Sequence, residues 1–169
     1  MTKIVVRHGL SEANNRDNYG TPAFDNPESP LMPIGKDQAI KLGQELITIY
    51  GREIMSEPVA VSEMRRAEET ALVAGFSNLT YYPELNEEKG GLSDSDVADA
   101  IRLRRPPEVT KEAARYLLEH PPKERVWITH GLLIATLCQE LGEYTDQRFI
   151  PRFCEVRELQ MSPTKQSEF

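Results

Sequence analysis

The sequence predicts an α/β fold, a three-layer sandwich whose mostly parallel central sheet carries helices on both faces. Three observations predict it. A short apolar run is followed by a stretch of helical periodicity three times along the chain, the pattern of strands joined by crossover helices. The length, 169 residues, suits one domain spanning 1–169 and is large enough to bury about 70% of the unfolded chain's surface without staples. Charged residues at 28% and hydrophobic residues at 39% match globular averages and exclude a wholly disordered chain.

Residues 3–6 read as a short buried strand. Residues 16–34, with Pro22, Pro27, Pro30 and Pro33, read as a loop long enough to be functional. A helix is expected over 35–50, with Ala39, Gly43, Leu46, Ile47 and Tyr50 on one face and Gly51 ending it. Val59, Ala60 and Val61 read as the second strand. Ser62 reads as the cap of a helix whose Met64, Ala67, Ala71 and Ala74 form one stripe. Thr80–Tyr82 reads as a weak third strand stopped by Pro83. Residues 88–95 are loop, and 94–104 a short helix with Val97 and Ile101 inward, broken by Pro106 and Pro107. A helix follows over 109–119 (Ala113, Tyr116 and Leu117), then a strand over 125–129. Residues 132–141 are helical, with Ile134, Leu137, Cys138 and Leu141 on one face and Gly142 at the end. Residues 155–160 alternate as an edge strand, and 162–169 form a polar, flexible tail.

The net charge of −7 opposes a nucleic-acid partner and a polybasic membrane anchor, while leaving room for a local basic pocket. No apolar run approaches the roughly 18 residues of a membrane span. Ile4-Val5-Val6 is too short for a signal-peptide core. Cys138 and Cys154 make no disulfide framework and no C-x-x-C pair. The expectation is a cytoplasmic protein with reduced thiols. Oligomeric state is not legible.

In such sheets ligands gather beyond the carboxyl ends of the strands, so the residues just after each strand matter most. His8 and His130 both stand there, each in a His-Gly dipeptide. Gly9 and Gly131 let the backbone turn and a ligand approach. His120, before two prolines, reads as exposed. Arg7 abuts His8, and Arg66 lies on the first turn after the second strand. A guanidinium fork fits phosphate oxygens, and a helix N-terminus favours an anion. Two imidazoles and two guanidiniums at one rim make a phosphoryl cradle, although Arg66 alone would pass for a surface residue.

Arg7-His8-Gly9-Leu10-Ser11-Glu12-Ala13-Asn14 resembles the signature of the histidine phosphatase, or phosphoglycerate mutase-like, superfamily. Ser62 through Ala71 resembles its S-x-x-x-R-A-x-x-T-A motif. Leu85-Asn86-Glu87 resembles the segment of its acid, and Thr129-His130-Gly131 that of its second histidine. The resemblance implies a phosphoglycerate mutase-like fold and a phosphohistidine at His8. Arg7, Arg66 and His130 would hold the phosphoryl oxygens, and Glu87 would act as acid and then base. Glu84 and Glu88 are rivals for that role. Ser11 and Asn14 match phosphate-contacting or loop-orienting positions, Gly9 and Gly131 join them, and Arg104-Arg105-Pro106-Pro107 looks like a compressed mutase segment that also reads as a solvated helix end.

Leu10 departs from the polar residue common there. The short stretch between Glu87 and His130 implies a smaller lid, which favours hydrolysis over a mutase that must shield its phosphoenzyme. The expected function is therefore a metal-independent phosphatase acting on a phosphomonoester, small or on a protein. The alternatives are a mutase-type phosphotransferase and an inactive phosphate-binding module. No metal or cofactor is expected: acidic metal clusters, G-x-x-x-x-G-K-[ST] and G-x-G-x-x-G are all lacking. The partner expected is a phosphorylated substrate, its remaining group held by the 16–34 loop and residues 88–107.

Overall fold

A computed structural model describes residues 1–88 and 90–162. The flexible tail expected at the C-terminus falls, from 163 on, outside the described residues. Strands β1 (Thr2–Arg7), β2 (Val59–Val61), β3 (Leu79–Tyr81), β4 (Val126–Thr129) and β5 (Val156–Gln160) form one sheet in the order β3-β2-β4-β1-β5. All neighbours are parallel except β5, which pairs antiparallel with β1 at the edge.

Side-chain alternation builds the layers. Ile4, Val6, Val59, Val61, Val126 and Ile128 face α1 (Pro33–Tyr50) and α2 (Arg65–Ala74). Val5, Ala60 and Trp127 face α4 (Glu108–Glu119) and α5 (Gly131–Leu141). This is the predicted three-layer α/β sandwich.

Helix α1 starts two residues earlier than the sequence suggests, because Pro33 occupies its first position, where a missing N–H costs nothing. Its buried stripe is Gly35, Ala39, Leu42, Gly43 and Leu46, while Ile47 and Tyr50 lie at the margin. Gly43 lets α1 touch α2: a Cβ there would sit 2.1 Å from the Ala74 carbonyl oxygen. In α4 the buried residues are Thr110, Ala114 and Leu117, and Tyr116 is exposed, stacked on the equally exposed His120.

Ser62 is not a helix cap. Helix α2 begins at Arg65 behind Met64, which offers no capping side chain, and Ser62 is buried in the site described below. Helix α3 (Asp94–Leu103) departs furthest. Ser93 and Asp96 close a capping box at its start, yet none of its residues is buried. Val97 and Ile101 therefore do not enter the core as expected.

Candidate active site

Parallel pairing puts the chemistry in one place. Arg7 on β1 stands in register with Thr129 on β4, so His8 and His130 leave adjacent strands at the same level. The His8 N–H donates to the Thr129 carbonyl at 3.1 Å, and the Ser62 N–H to the Ile128 carbonyl at 3.1 Å. Three neighbouring strands thus end in His8, His130 and Ser62. The two imidazoles lie 5.1 Å apart, edge to face.

The tautomer of His8 follows from its partner. Its Nδ1 is 2.7 Å from the Gly9 carbonyl oxygen. A carbonyl only accepts, so Nδ1 carries the proton and Nε2 keeps its lone pair. His130 places Nε2 2.8 Å from Ser62 Oγ and leaves Nδ1 buried without a protein partner. Asn86 Oδ1 accepts from the Glu63 N–H at 2.8 Å and from Ser62 Oγ at 2.9 Å, while Asn86 Nδ2 donates to Glu63 Oε1. Ser62 has one proton for two acceptors. Given to Asn86 Oδ1, that proton leaves Ser62 Oγ to accept from the His130 Nε2–H, and Nδ1 becomes a donor into the cradle once binding of an anion protonates the ring.

The arginines come from two sides. Arg66 is 1% exposed, and its Nη2 reaches Glu87 Oε2 at 3.4 Å. Arg7 donates from Nη1 to the Pro151 carbonyl at 2.8 Å and lies 3.9 Å from the centre of the Phe153 ring. Six buried side-chain nitrogen or oxygen atoms among the described residues lack a hydrogen-bond partner. Four of them are Arg7 Nε, Arg66 Nε, Arg66 Nη1 and His130 Nδ1. Buried polar atoms without partners are costly; gathered in one place they are a binding site for an anion. The N-terminus of α5, beginning at Gly131 straight after His130, adds its dipole.

Both glycines of the His-Gly pairs serve close packing. A Cβ at Gly9 would lie 2.7 Å from the Gly35 carbonyl oxygen, which fixes the loop after β1 against α1. A Cβ at Gly131 would lie 2.9 Å from Arg7 Nε, so a side chain there would displace the guanidinium.

Of the three candidate acids, Glu87 alone is seen against Arg66. Glu84 is exposed on the Pro83–Leu85 turn, beside a surface cleft shared with Tyr116 and His120. Glu88 is exposed, beside Thr110 and Leu132 in a small pocket that Asn86 and Glu87 also line. Thr129 Oγ1 donates to the Leu85 carbonyl at 2.6 Å and so ties this turn to the end of β4.

Ser11 and Asn14 bond to each other, Oγ to Oδ1, at 2.6 Å; no described contact joins either to the cradle. Arg104 and Arg105 are not brought to it. Arg104 caps α3 in a left-handed conformation (φ 52°) and donates to the Thr145 and Gln147 carbonyls. Arg105 is exposed. Sequence reasoning missed Ser62 and Asn86 as site residues, though both lie inside the quoted motifs. It also missed the 148–153 segment, whose Arg148 and Phe149 carbonyls are held by the buried Arg157, and no motif marks that segment.

Burial, reinforced by Arg66 and Arg7, holds His8 well below the usual histidine range. The same burial, with His8 and both arginines, does so for His130. Burial also pushes Arg7 down to about 10. Both imidazoles are therefore neutral in the free protein near pH 7. The unfolded chain binds protons at these histidines below about pH 6.5 while the native state does not. Stability is thus complete above pH 6.5 and falls as the pH drops below it, by up to about 1.4 kcal/mol per pH unit for each histidine. Inorganic phosphate, which favours protonated imidazole, should flatten that fall. Urea midpoints between pH 7.5 and 5, with and without phosphate, check this; a midpoint independent of pH over that window would contradict it.

The profile of the Histidine phosphatase superfamily (branch 1) matches residues 4–117. No curated protein sequence matches the chain. Among solved structures, a variant of phosphoserine phosphatase from Entamoeba histolytica in complex with phosphoserine superposes with a TM-score of 0.64 at 16% identity, covering 96% of this chain and 92% of that one. TTHB049 from Thermus thermophilus gives 0.62 at 24%, covering 95% and 94%. Rv3214 from Mycobacterium tuberculosis gives 0.62 at 17%, covering 96% and 92%. At these identities the likeness is one of fold. The chain belongs to the histidine phosphatase superfamily. By class it is a phosphohydrolase.

Proposed function

We propose that this protein hydrolyses a phosphomonoester without a metal, through a phosphohistidine at His8. The observation that carries the reading is the set of four unpartnered buried atoms of Arg7, Arg66 and His130 around an imidazole with a free Nε2. The Nε2 lone pair attacks phosphorus in line. The bond from phosphorus to the ester oxygen breaks, its electron pair goes to that oxygen, and the Glu87 carboxyl gives it a proton. Arg7, Arg66 and the His130 Nδ1–H hold the equatorial oxygens, supplying the charge that phosphoryl transfer requires. Glu87, now a carboxylate, takes a proton from water. The resulting hydroxide forms the new bond to phosphorus as the bond to Nε2 breaks, and His8 is restored.

The test is hydrolysis of para-nitrophenyl phosphate in excess chelator, with rapid quenching to trap the enzyme during turnover. Chelator should leave the rate unchanged. Trapped protein should carry one acid-labile, alkali-stable phosphoryl group on the peptide containing His8. Activity that requires added metal, or a label on another residue, would overturn the mechanism. Interconversion of the monophosphoglycerate isomers with a bisphosphate primer, without net hydrolysis, would replace it by a mutase. No described helix is long and apolar enough to cross a membrane.

A further inference from the structure

Helix α3 poses a physical question. It is amphipathic and well capped, yet none of its residues is fully buried; Val97 and Ala100 are only partly so. A short isolated helix is marginal in water, and helices are normally held by packing their apolar face. The apolar side of α3, Val97, Ala98 and Ile101, forms one wall of a cleft of about 520 Å³. The opposite wall is Tyr19 and Phe24 from the loop after β1, their rings edge to face at 5.2 Å. Arg16 and Asp94 are its charged members.

The loop of this cleft is tied to the helix that carries Arg66. The Arg65 N–H donates to the Pro27 carbonyl at 2.9 Å, and the Asp25 N–H to the Ala13 carbonyl at 2.9 Å. The loop that forms the aromatic wall therefore runs from His8 to the start of α2. Anything esterified to a phosphate in the cradle has this cleft beside it. Its volume falls in the range of sites for drug-sized ligands, and one wall is aliphatic while the other is aromatic. A small polar alcohol such as serine or glycerate would leave those walls in water.

We infer that the substrate of this phosphatase is the phosphate ester of a bulky apolar alcohol, whose hydrocarbon part packs between Tyr19 and Phe24 on one side and Val97 and Ile101 on the other. This rests on the phosphatase reading above. The occupant completes the core that α3 lacks.

The test compares esters matched in leaving group: phenyl with naphthyl phosphate, and glycerol with octyl phosphate. Wild type should prefer the larger member of each pair by about ten-fold or more in kcat/KM, the effect of burying a few extra carbons. Tyr19→Ala and Ile101→Ser should remove most of that preference by raising KM for the naphthyl and octyl esters. Both side chains are substantially exposed, so folding is not at stake. Hydrolysis of all four esters with no size preference, or a preference untouched by both variants, overturns the inference and leaves the phosphatase standing. A change in sedimentation instead of KM would assign the walls to a second copy of the chain and also overturn it. Absence of hydrolysis that depends on His8 with every ester overturns the phosphatase reading itself.

Discussion

His8→Ala is expected to cut turnover of para-nitrophenyl phosphate by at least ~10⁴-fold, the scale on which loss of a nucleophile is felt. The size of the effect follows from what remains. Arg7, Arg66 and His130 still surround the phosphoryl group, so the ester binds, but no lone pair is left in line with phosphorus. Inorganic phosphate should therefore protect the variant against thermal unfolding nearly as well as it protects wild type, because its donors are untouched. No phosphoenzyme should form. Turnover within ten-fold of wild type would move the nucleophile elsewhere. Loss of phosphate binding together with turnover would mean that the pocket had collapsed and that the imidazole holds it open.

The pairing of His8 with His130 is visible in the sequence because a short apolar run ends in Arg-His-Gly and another in Thr-His-Gly, and parallel strands deliver such ends to one rim. The sheet and its flanking helices are legible for the same reason. Helix α3 is not. Periodicity says which residues share a face, not what that face meets, and Val97 and Ile101 face a cleft rather than the core. Ser62 misleads because a serine before a helix is most often a cap; Asn86 and His130, distant in sequence, meet it because β2 pairs with β3 on one side and β4 on the other. Spacing cannot choose among Glu84, Glu87 and Glu88 either. The turn at Pro83–Leu85 separates them in space, leaving Glu84 in solvent and setting Glu87 against Arg66. The carbonyls of residues 148–151 contribute backbone alone, which leaves no mark in a motif.

Arg66→Met should reveal the stability cost of the cradle. In the free protein Arg66 is buried with Nε and Nη1 unpartnered, and the carboxylate bonded to its Nη2, Glu87, is partly in water at 3.4 Å. Burial holds its guanidinium below its ordinary value despite Glu87, the mark of a cation whose lost hydration is incompletely replaced. Replacing such a group by an apolar one of similar length is commonly neutral or stabilising by about 1–4 kcal/mol. The removal leaves Glu87 to solvent rather than stranding it. The variant should thus unfold at the same or a higher temperature than wild type without phosphate. Catalysis should go the other way, with kcat/KM down by ~10³-fold for loss of transition-state charge stabilisation and phosphate inhibition weakened by about a hundred-fold, more than an exposed pair could account for. Added phosphate should then raise the melting temperature of wild type well above that of the variant, since a ligand stabilises in proportion to its affinity for the native state. A lower melting temperature for the phosphate-free variant would show that Arg66 is held for the fold. An unchanged inhibition constant would place the phosphate elsewhere. The crossing of the two melting temperatures on adding phosphate is the signature of a side chain kept against stability for its ligand.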